Sequence, residues 1–571
     1  MKRLIQYLRG YVKESVLGPL FKLIEASLEL IVPLIIAYMI DSGIKTGDTS
    51  AIAIGALVLL LLGALGLGFS VVAQYFSAKA SVGVTAKLRR ALFVHMQGFS
   101  YSDIDALGTS TMITRMTTDT EKVQSGLNLA LRLLLRSPFV VFGAMIMALS
   151  IDFDASVSFI AVIPLLSVVV FGIMLISMPL YKKVQGGIDR ILLSTRENLA
   201  GARVIRAFRK EEDEIAKFKG QNEVLTHTQK RVGWISALLN PLTYVIINLA
   251  IVWLIYSGAL RVELGELSQG QVIALYNYMS QILVELIKLA NLIISITKAI
   301  ASAGRIERLL DTPHTSHFGE ETDFDDCEYA VEFEGVSLTY KGGGAPSLDT
   351  ISFGARVGET IGIIGGTGSG KTSLVNLIPG FYDATEGEVR IFGKEIHSYS
   401  EAGLREKIGV VPQKAVLFGG TVRENLAFGK GDACDSEMYR ALDIAQATRV
   451  VEDKGGLDAL IEQGGKNLSG GQRQRLTIAR ALVGAPKILI LDDSASALDY
   501  ATDASLRRAI RDMSGSTTTF IVSQRAASVM YADKIIVLDD GECVGMGTHD
   551  ELLSSCSVYR EIYDSQFKKE A

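Results

Sequence analysis

Charge is scarce in this chain. Of its 571 residues, 21% are Asp, Glu, Lys or Arg while 49% are hydrophobic, and the mean hydropathy is +0.30. That balance excludes an ordinary soluble protein of this length and calls for membrane segments. A bias of either sign is missing too: a net charge of -5 gives no reason to expect nucleic acid as a partner. Cysteine is sparse, with Cys327, Cys434, Cys543 and Cys556 at irregular spacings. No CxxC pair or Cys/His cluster suggests a metal site, so these read as free thiols in a reducing cytosol. Long apolar runs are what the chain does have. They crowd the region up to about Ile300, and the mixed segments with Gly-rich turns beyond it indicate a second, water-soluble part.

Six apolar stretches are long enough to span: about Val16 to Ile40, Ala51 to Tyr75, Leu129 to Ile151, Ala155 to Tyr181, Val232 to Leu260 and Gln269 to Ile300. Each exceeds the roughly 20 residues a helix needs to cross the hydrocarbon. The preceding "MKRLIQYLRGYVK" reads as an amphipathic segment on the inner membrane surface, which together with the length of the first run argues against a cleavable signal. The connection after the second span carries Lys79, Lys87, Arg89, Arg90, Arg115 and Lys122; the one after the fourth carries Lys182, Lys183, Arg190, Arg196, Arg203, Arg206, Arg209 and Lys210. This excess of cations places both connections and both termini in the cytoplasm, at the inner (plasma) membrane. Apolar residues recur at helical spacing in "AKLRRALFVHM" and "NLAGARVIRAF", so both connections are expected to extend the spans as helices. The expected division is an interfacial helix over 1–14, a transmembrane domain over 15–305 with long loops at 76–128 and 182–231, a linker over 306–329 and a soluble domain over 330–571.

Charged residues inside spans are costly and are functional candidates. Glu25 and Glu29 are four apart on one helix face, Arg132 and Arg136 likewise, and Glu285 and Lys288 are three apart. Counting along the helices puts Glu25, Glu29, Arg136 and Glu285 at comparable depths of about 16 to 24 Å. They could line an inward-facing cavity. Equally, Glu/Arg pairs could merely lock helices together while Arg132 and Lys288 reach for the inner interface.

In the soluble part, "ETIGIIGGTGSGKTSLVNLI" sets Gly365-x-x-x-x-Gly370-Lys371-Thr372 between an apolar strand and an apolar helix, the context a phosphate-cradling loop demands. Gly366, Thr367, Gly368, Ser369 and Ser373 complete the loop. Glycines let backbone N–H groups turn onto phosphate oxygens, Lys371 reaches the outer phosphates, and Thr372 suits Mg2+. "KILILDD" is an apolar strand ending in Asp492, a second magnesium candidate. "NLSGGQRQRLTIARAL" opens a helix on a Ser-Gly-Gly turn, another anion site by backbone donors and helix dipole. Since the chain already has a phosphate loop, this turn must serve a different nucleotide.

With these motifs in this order, the whole chain resembles an ATP-binding cassette (ABC) exporter half-transporter. The resemblance implies an all-α membrane domain of six helices followed by an α/β P-loop nucleotide-binding domain, with ATP and Mg2+ as cofactors. Two cassettes would pair head to tail, each ATP lying between the phosphate loop of one and the LSGGQ of the other. It further implies that Tyr340 stacks on adenine, that Gln413 senses magnesium, that Ser469, Gly470, Gly471 and Gln472 act on the partner's ATP, and that Asp499 lies at the dimer seam. "YSDIDALG" and "NLAGARVIRAF" resemble the two coupling helices of such exporters.

Two positions depart from the family pattern. Asp493 stands where the hydrolytic base is ordinarily Glu, and the missing methylene withdraws its carboxylate by roughly 1 to 1.5 Å. Gln524 stands where the family has histidine; an amide can hydrogen-bond a phosphate but cannot gain a proton near neutral pH. Both changes weaken hydrolysis and spare binding. The expectation is therefore a heterodimer with a second ABC half-transporter, exporting an amphipathic drug-like compound, lipid or peptide. A slow homodimeric exporter and an ATP-gated channel are the alternatives.

Overall fold

The computed structural model describes residues 6–313, 318–324, 327–494, 498–513 and 515–567. Outside these lie the first five residues of the expected interfacial helix, 314–317 and 325–326 of the expected linker, and 495–497 between Asp492 and Asp499. The chain divides into two compact units, one built from Met1–Gln97 and Ser110–Pro313, the other from Gly98–Thr109 and His314–Ala571.

The first unit holds six helices long and apolar enough to cross a membrane: Val12–Ile44, Thr49–Gln97, Thr109–Ile151, Phe153–Ala200, Glu211–Glu263 and Gln269–Leu310. They are called spans one to six. Their outward surfaces are apolar, with Leu57, Leu60, Val168 and Leu249 exposed, as lipid-facing helices require. Their shared core is rich in small residues, among them Ala26, Ala144, Ala148, Ala250 and Ala274, which let backbones approach closely. Span four starts sharply because Asp152 is extended and its carboxylate accepts from Ala155 N at 2.7 Å. Span six starts on a reciprocal cap between Ser268 and Gln271. At the N-terminus the described residues form only a short 3₁₀ turn, Gln6–Gly10, and residues 12–14 already belong to span one. Span six likewise runs to Leu310, into the stretch expected as linker. Two π-turns, Arg115–Asp119 and Ala130–Leu134, interrupt span three.

In the second unit, strands β1 (Tyr329–Leu338), β2 (Leu348–Arg356), β4 (Glu386–Ile391) and β5 (Lys394–Glu395) make an antiparallel sheet in the order β2-β1-β4-β5. Strands β3 (Thr360–Gly365), β6 (Ile408–Val411), β9 (Ile488–Asp492), β10 (Thr518–Ser523), β11 (Lys534–Asp539) and β12 (Glu542–Gly547) form a second sheet in the order β12-β11-β3-β10-β9-β6. It is parallel except for β12, while β7 (Gly420–Thr421) and β8 (Leu460–Ile461) pair with each other apart from it. Ile361, Ile363, Ile490 and Phe520 are buried, as the near-continuous apolar strands of a doubly covered parallel sheet should be. The register pairs Val522 with Asp492 and Ser523 with Ile364, so the carboxyl ends of β3, β9 and β10 come out side by side. Ligands of open parallel sheets bind at that edge. A separate core around Leu442, Leu476 and Ile478 carries the helix Gly470–Leu482.

The short helix Tyr101–Leu107, from the "YSDIDALG" segment, belongs to this second unit although its sequence neighbours belong to the first. Tyr101 stacks on Phe381 at 4.4 Å, Asp105 accepts from the Tyr382 hydroxyl at 2.6 Å, and Lys341 pairs with Asp103 at 3.1 Å.

Candidate functional site

Where β3 ends, the chain turns through Gly368 and Gly370 at φ +87° and +92°, left-handed geometry that favours glycine. Gly370 also has no room for a side chain, since a Cβ there would meet the Ser347 carbonyl oxygen at 2.6 Å. The helix Lys371–Leu377 follows at once. Lys371 is buried, its ammonium donating to the carbonyls of Gly365 at 2.9 Å and Gly366 at 2.5 Å. Burial holds its pKa below the ordinary lysine value, Asp492 and Asp493 opposing the shift. The Thr372 hydroxyl donates to the Asp492 carboxylate at 3.0 Å. Burial pushes the Asp492 carboxyl up, against the pull of Thr372.

Thr367 to Ser373, Gln413, Asp492, Asp493 and Gln524 line one pocket together with Ser347, Val522 and Ser523. Lys371 spends its hydrogen bonds on its own loop and Thr372 spends its donor on Asp492, contacts that a polyphosphate and a hard cation could replace. Thr372, Asp492 and Gln413 can each present an oxygen, and Mg2+ is held by one or two carboxylates plus substrate phosphates, so the residues present fit it.

Asp493 adopts φ +43°, and its N–H donates to Val522 O at 3.0 Å. Short Asp and Asn tolerate this left-handed region better than most residues. Gln524 is exposed, and its backbone carbonyl accepts from the Gln566 side chain at 2.9 Å, while the Gln566 oxygen accepts from Ala526 N, also at 2.9 Å. The helix Ser557–Phe567 thereby grips the Gln524 turn from both sides. Nothing in the local pattern pointed to Gln566.

Tyr340 does not line the pocket. Its hydroxyl donates to Ser373 at 2.9 Å and its ring meets Tyr382 edge-on at 5.0 Å. Neither Ser469, Gly470, Gly471 nor Gln472 lines it. Ser469 caps the helix Gly470–Leu482 reciprocally with Gln472 and, with Gly470, is exposed. Asp499 caps Tyr500–Arg511, accepting from Thr502 N at 2.9 Å, and that bond lowers its pKa.

In the membrane unit, Arg136 is 8% exposed and bonds Glu285 at 2.6 Å and Glu29 at 2.5 Å. Ser137 and Lys288 each bond Glu285 at 2.9 Å. Arg132 does not share this face: it bonds Gln74 in span two. The π-turn over Ala130–Leu134 breaks the four-residue alignment that a regular helix would have kept between the two arginines. Glu25 is taken by the buried Lys22, which also donates to Ser70 at 3.1 Å. Lys22 escaped the sequence reading, although its place three residues before Glu25 was a visible signal.

Two family models match the chain, one described as "ABC transporter transmembrane region" over residues 15–286 and one as "ABC transporter" over residues 348–496. The chain is 36% identical over 569 residues to an uncharacterized ABC transporter ATP-binding protein of Mycobacterium tuberculosis, covering 98% of this chain and 97% of that one. It is 34% identical to the Bacillus subtilis ABC transporter ATP-binding protein YfiB, covering 100% and 99%. It is 29% identical to the ATP-dependent lipid A-core flippase of Escherichia coli, covering 93% and 91%. A bacterial Atm1-family ABC exporter solved with ATP bound superposes with a TM-score of 0.78 at 23% identity, over 100% of this chain and 99% of that one, which shows a common fold.

Proposed function

The chain belongs to the ABC transporter family, as a half-transporter of exporter fold, and from that premise we propose that it is the weakly hydrolysing half of a heterodimeric, ATP-driven exporter. The observation that carries this reading is the content of one pocket. Lys371, Thr372 and Asp492 are intact for binding, whereas Asp493 and Gln524 stand where hydrolysis is ordinarily driven. The Ser469 to Gln472 turn, exposed at Ser469 and Gly470, is intact and completes the partner's site.

On this reading Lys371 exchanges the Gly365 and Gly366 carbonyls for phosphate oxygens, and the backbone donors of the loop hold the rest. Mg2+, held by Thr372 and Asp492 with Gln413 beside them, supplies charge neutralisation for the phosphates. Asp493 is a methylene too short to bring its carboxylate onto water, an error of about 1 Å that can cost about 100-fold in rate. Gln524 hydrogen-bonds phosphate without carrying a proton. ATP stays, and the partner's ATP is the one that turns over. The helices Tyr101–Leu107 and Ala202–Ala207 transmit cassette closure to the spans. The cation-rich connections support a cytoplasmic cassette, and the flippase relative supports a lipid-like or other amphipathic cargo.

The test is turnover of the assembled transporter. Asp493→Glu with Gln524→His should raise ATPase activity by opening a second working site. Ser469→Arg should lower it about 100-fold or more, because the lesion falls on the partner's site. Unchanged activity in Ser469→Arg overturns the division of labour. One observation favours a second reading, a slow homodimer: φ +43° gives Asp493 a backbone reason to be short, independent of any loss of catalysis. A stable dimer of the purified chain alone, with slow ATPase activity that lipid or drug stimulates, would establish it.

A further inference from the structure

Glu29, Arg136, Glu285 and Lys288 form a chain of alternating charge across spans one, three and six, linked at 2.5, 2.6 and 2.9 Å. Its two inner members are enclosed, Arg136 at 8% and Glu285 at 4% exposure. Its two ends are open, Glu29 at 42% and Lys288 at 49%. A cluster that only locked helices would hide its ends, because half-exposed charges contribute little to stability.

The buried part is also incomplete. Among the described residues Arg136 Nε is enclosed without an acceptor, and one turn along span six from Glu285 the Gln281 side-chain oxygen is enclosed without a donor. Enclosed polar atoms are normally paired, so the leftover Arg136 donor leaves the ion chain one acceptor short and points to a ligand that supplies it.

We propose that this chain of charges is the cargo site and that its cargo is a zwitterionic amphiphile, with an ammonium for Glu29, an anionic group for Lys288 and an apolar tail. The inference rests on the exporter reading. Charge balance selects the class. The four groups cancel, so a purely cationic or purely anionic ligand would leave a net charge in a poorly solvated site, whereas a zwitterion satisfies both open ends and keeps neutrality.

The experiment is equilibrium binding to the full-length chain, without nucleotide, of three radiolabelled probes of equal chain length: a lysophosphatidylethanolamine, a lysophosphatidylglycerol and an alkylammonium. The zwitterion should bind about tenfold or more tightly than either singly charged probe. Glu29→Gln and Lys288→Met should each remove that preference. Both leave the Arg136–Glu285 pair and the Ser137 bond in place, so the fold is retained and is checked by unaltered ATP binding. Equal binding of the three probes, tightest binding by the alkylammonium or the lysophosphatidylglycerol, or a preference that survives both substitutions overturns the proposal. Transport is read separately in the assembled transporter, with and without ATP. A chain that binds the zwitterion but moves it without ATP dependence would sink the exporter reading and leave the site standing.

Discussion

At the scale of single residues, the pocket trades stability for binding. Asp492 is buried, and that burial holds its carboxyl above its ordinary value. A carboxyl raised on folding contributes stability that is complete below its unfolded value, about 3.9, and is lost as pH rises through the raised one. At neutral pH the folded protein therefore carries an unwelcome charge. Asp492→Asn keeps an acceptor for Thr372 and removes that charge, so the nucleotide-free variant should unfold at higher temperature than the parent. Scanning fluorimetry in EDTA should show the gap closing as pH is lowered through the raised pKa. Stabilisation by MgATP should shrink at the same time, since the metal loses its carboxylate. A variant less stable than the parent at neutral pH would show that Asp492 is worth more to the fold than its burial costs.

At the scale of elements, the C-terminal helix Ser557–Phe567 reaches the catalytic edge through Gln566 alone among the contacts described above. Gln566→Ala removes both bonds to the Gln524 turn and should cost about 1 to 2 kcal/mol in denaturant unfolding. If the turn needs that grip, the benefit of Gln524→His should disappear in the double variant, and a full benefit there would show that the turn holds itself. The sequence displayed what is local. The phosphate loop, the strand ending at Asp492 and the capped Ser469 turn are contiguous motifs whose chemistry demands their order, and β3 and β9 deliver the first two to one edge. It did not display Gln566, which is 42 residues from its target. Nor did it show that a π-turn parts Arg132 from Arg136, because a four-residue spacing reads the same whether or not the helix bulges. Lys22, three residues before Glu25, was legible but passed over in its apolar run, and φ +43° at Asp493 has no signature in composition.

At the scale of the whole molecule, a site that binds without hydrolysing should act as a clamp. Saturating MgATP should stabilise the assembled transporter, by about 2.7 kcal/mol at 100 times Kd for a single site, and Lys371→Ala in this chain should remove that share. After one turnover, filter retention should find unhydrolysed ATP bound to this chain and ADP released from its companion. Equal loss of label from both would refute the asymmetry.

The helix Tyr101–Leu107 sits in the compact unit of the cassette while residues on either side sit in the other, so the polypeptide crosses between its two bodies more than once. A protease cut just after Pro313 would therefore sever one tether and not the peg: ring stacking on Phe381, the Tyr382 hydroxyl and the Lys341 ion pair would still fasten the severed cassette to its loop. Nicked protein should stay in one piece through gentle chromatography and come apart in high salt once Tyr101 is replaced by alanine, as a hinge does when both its glue and its pin are withdrawn.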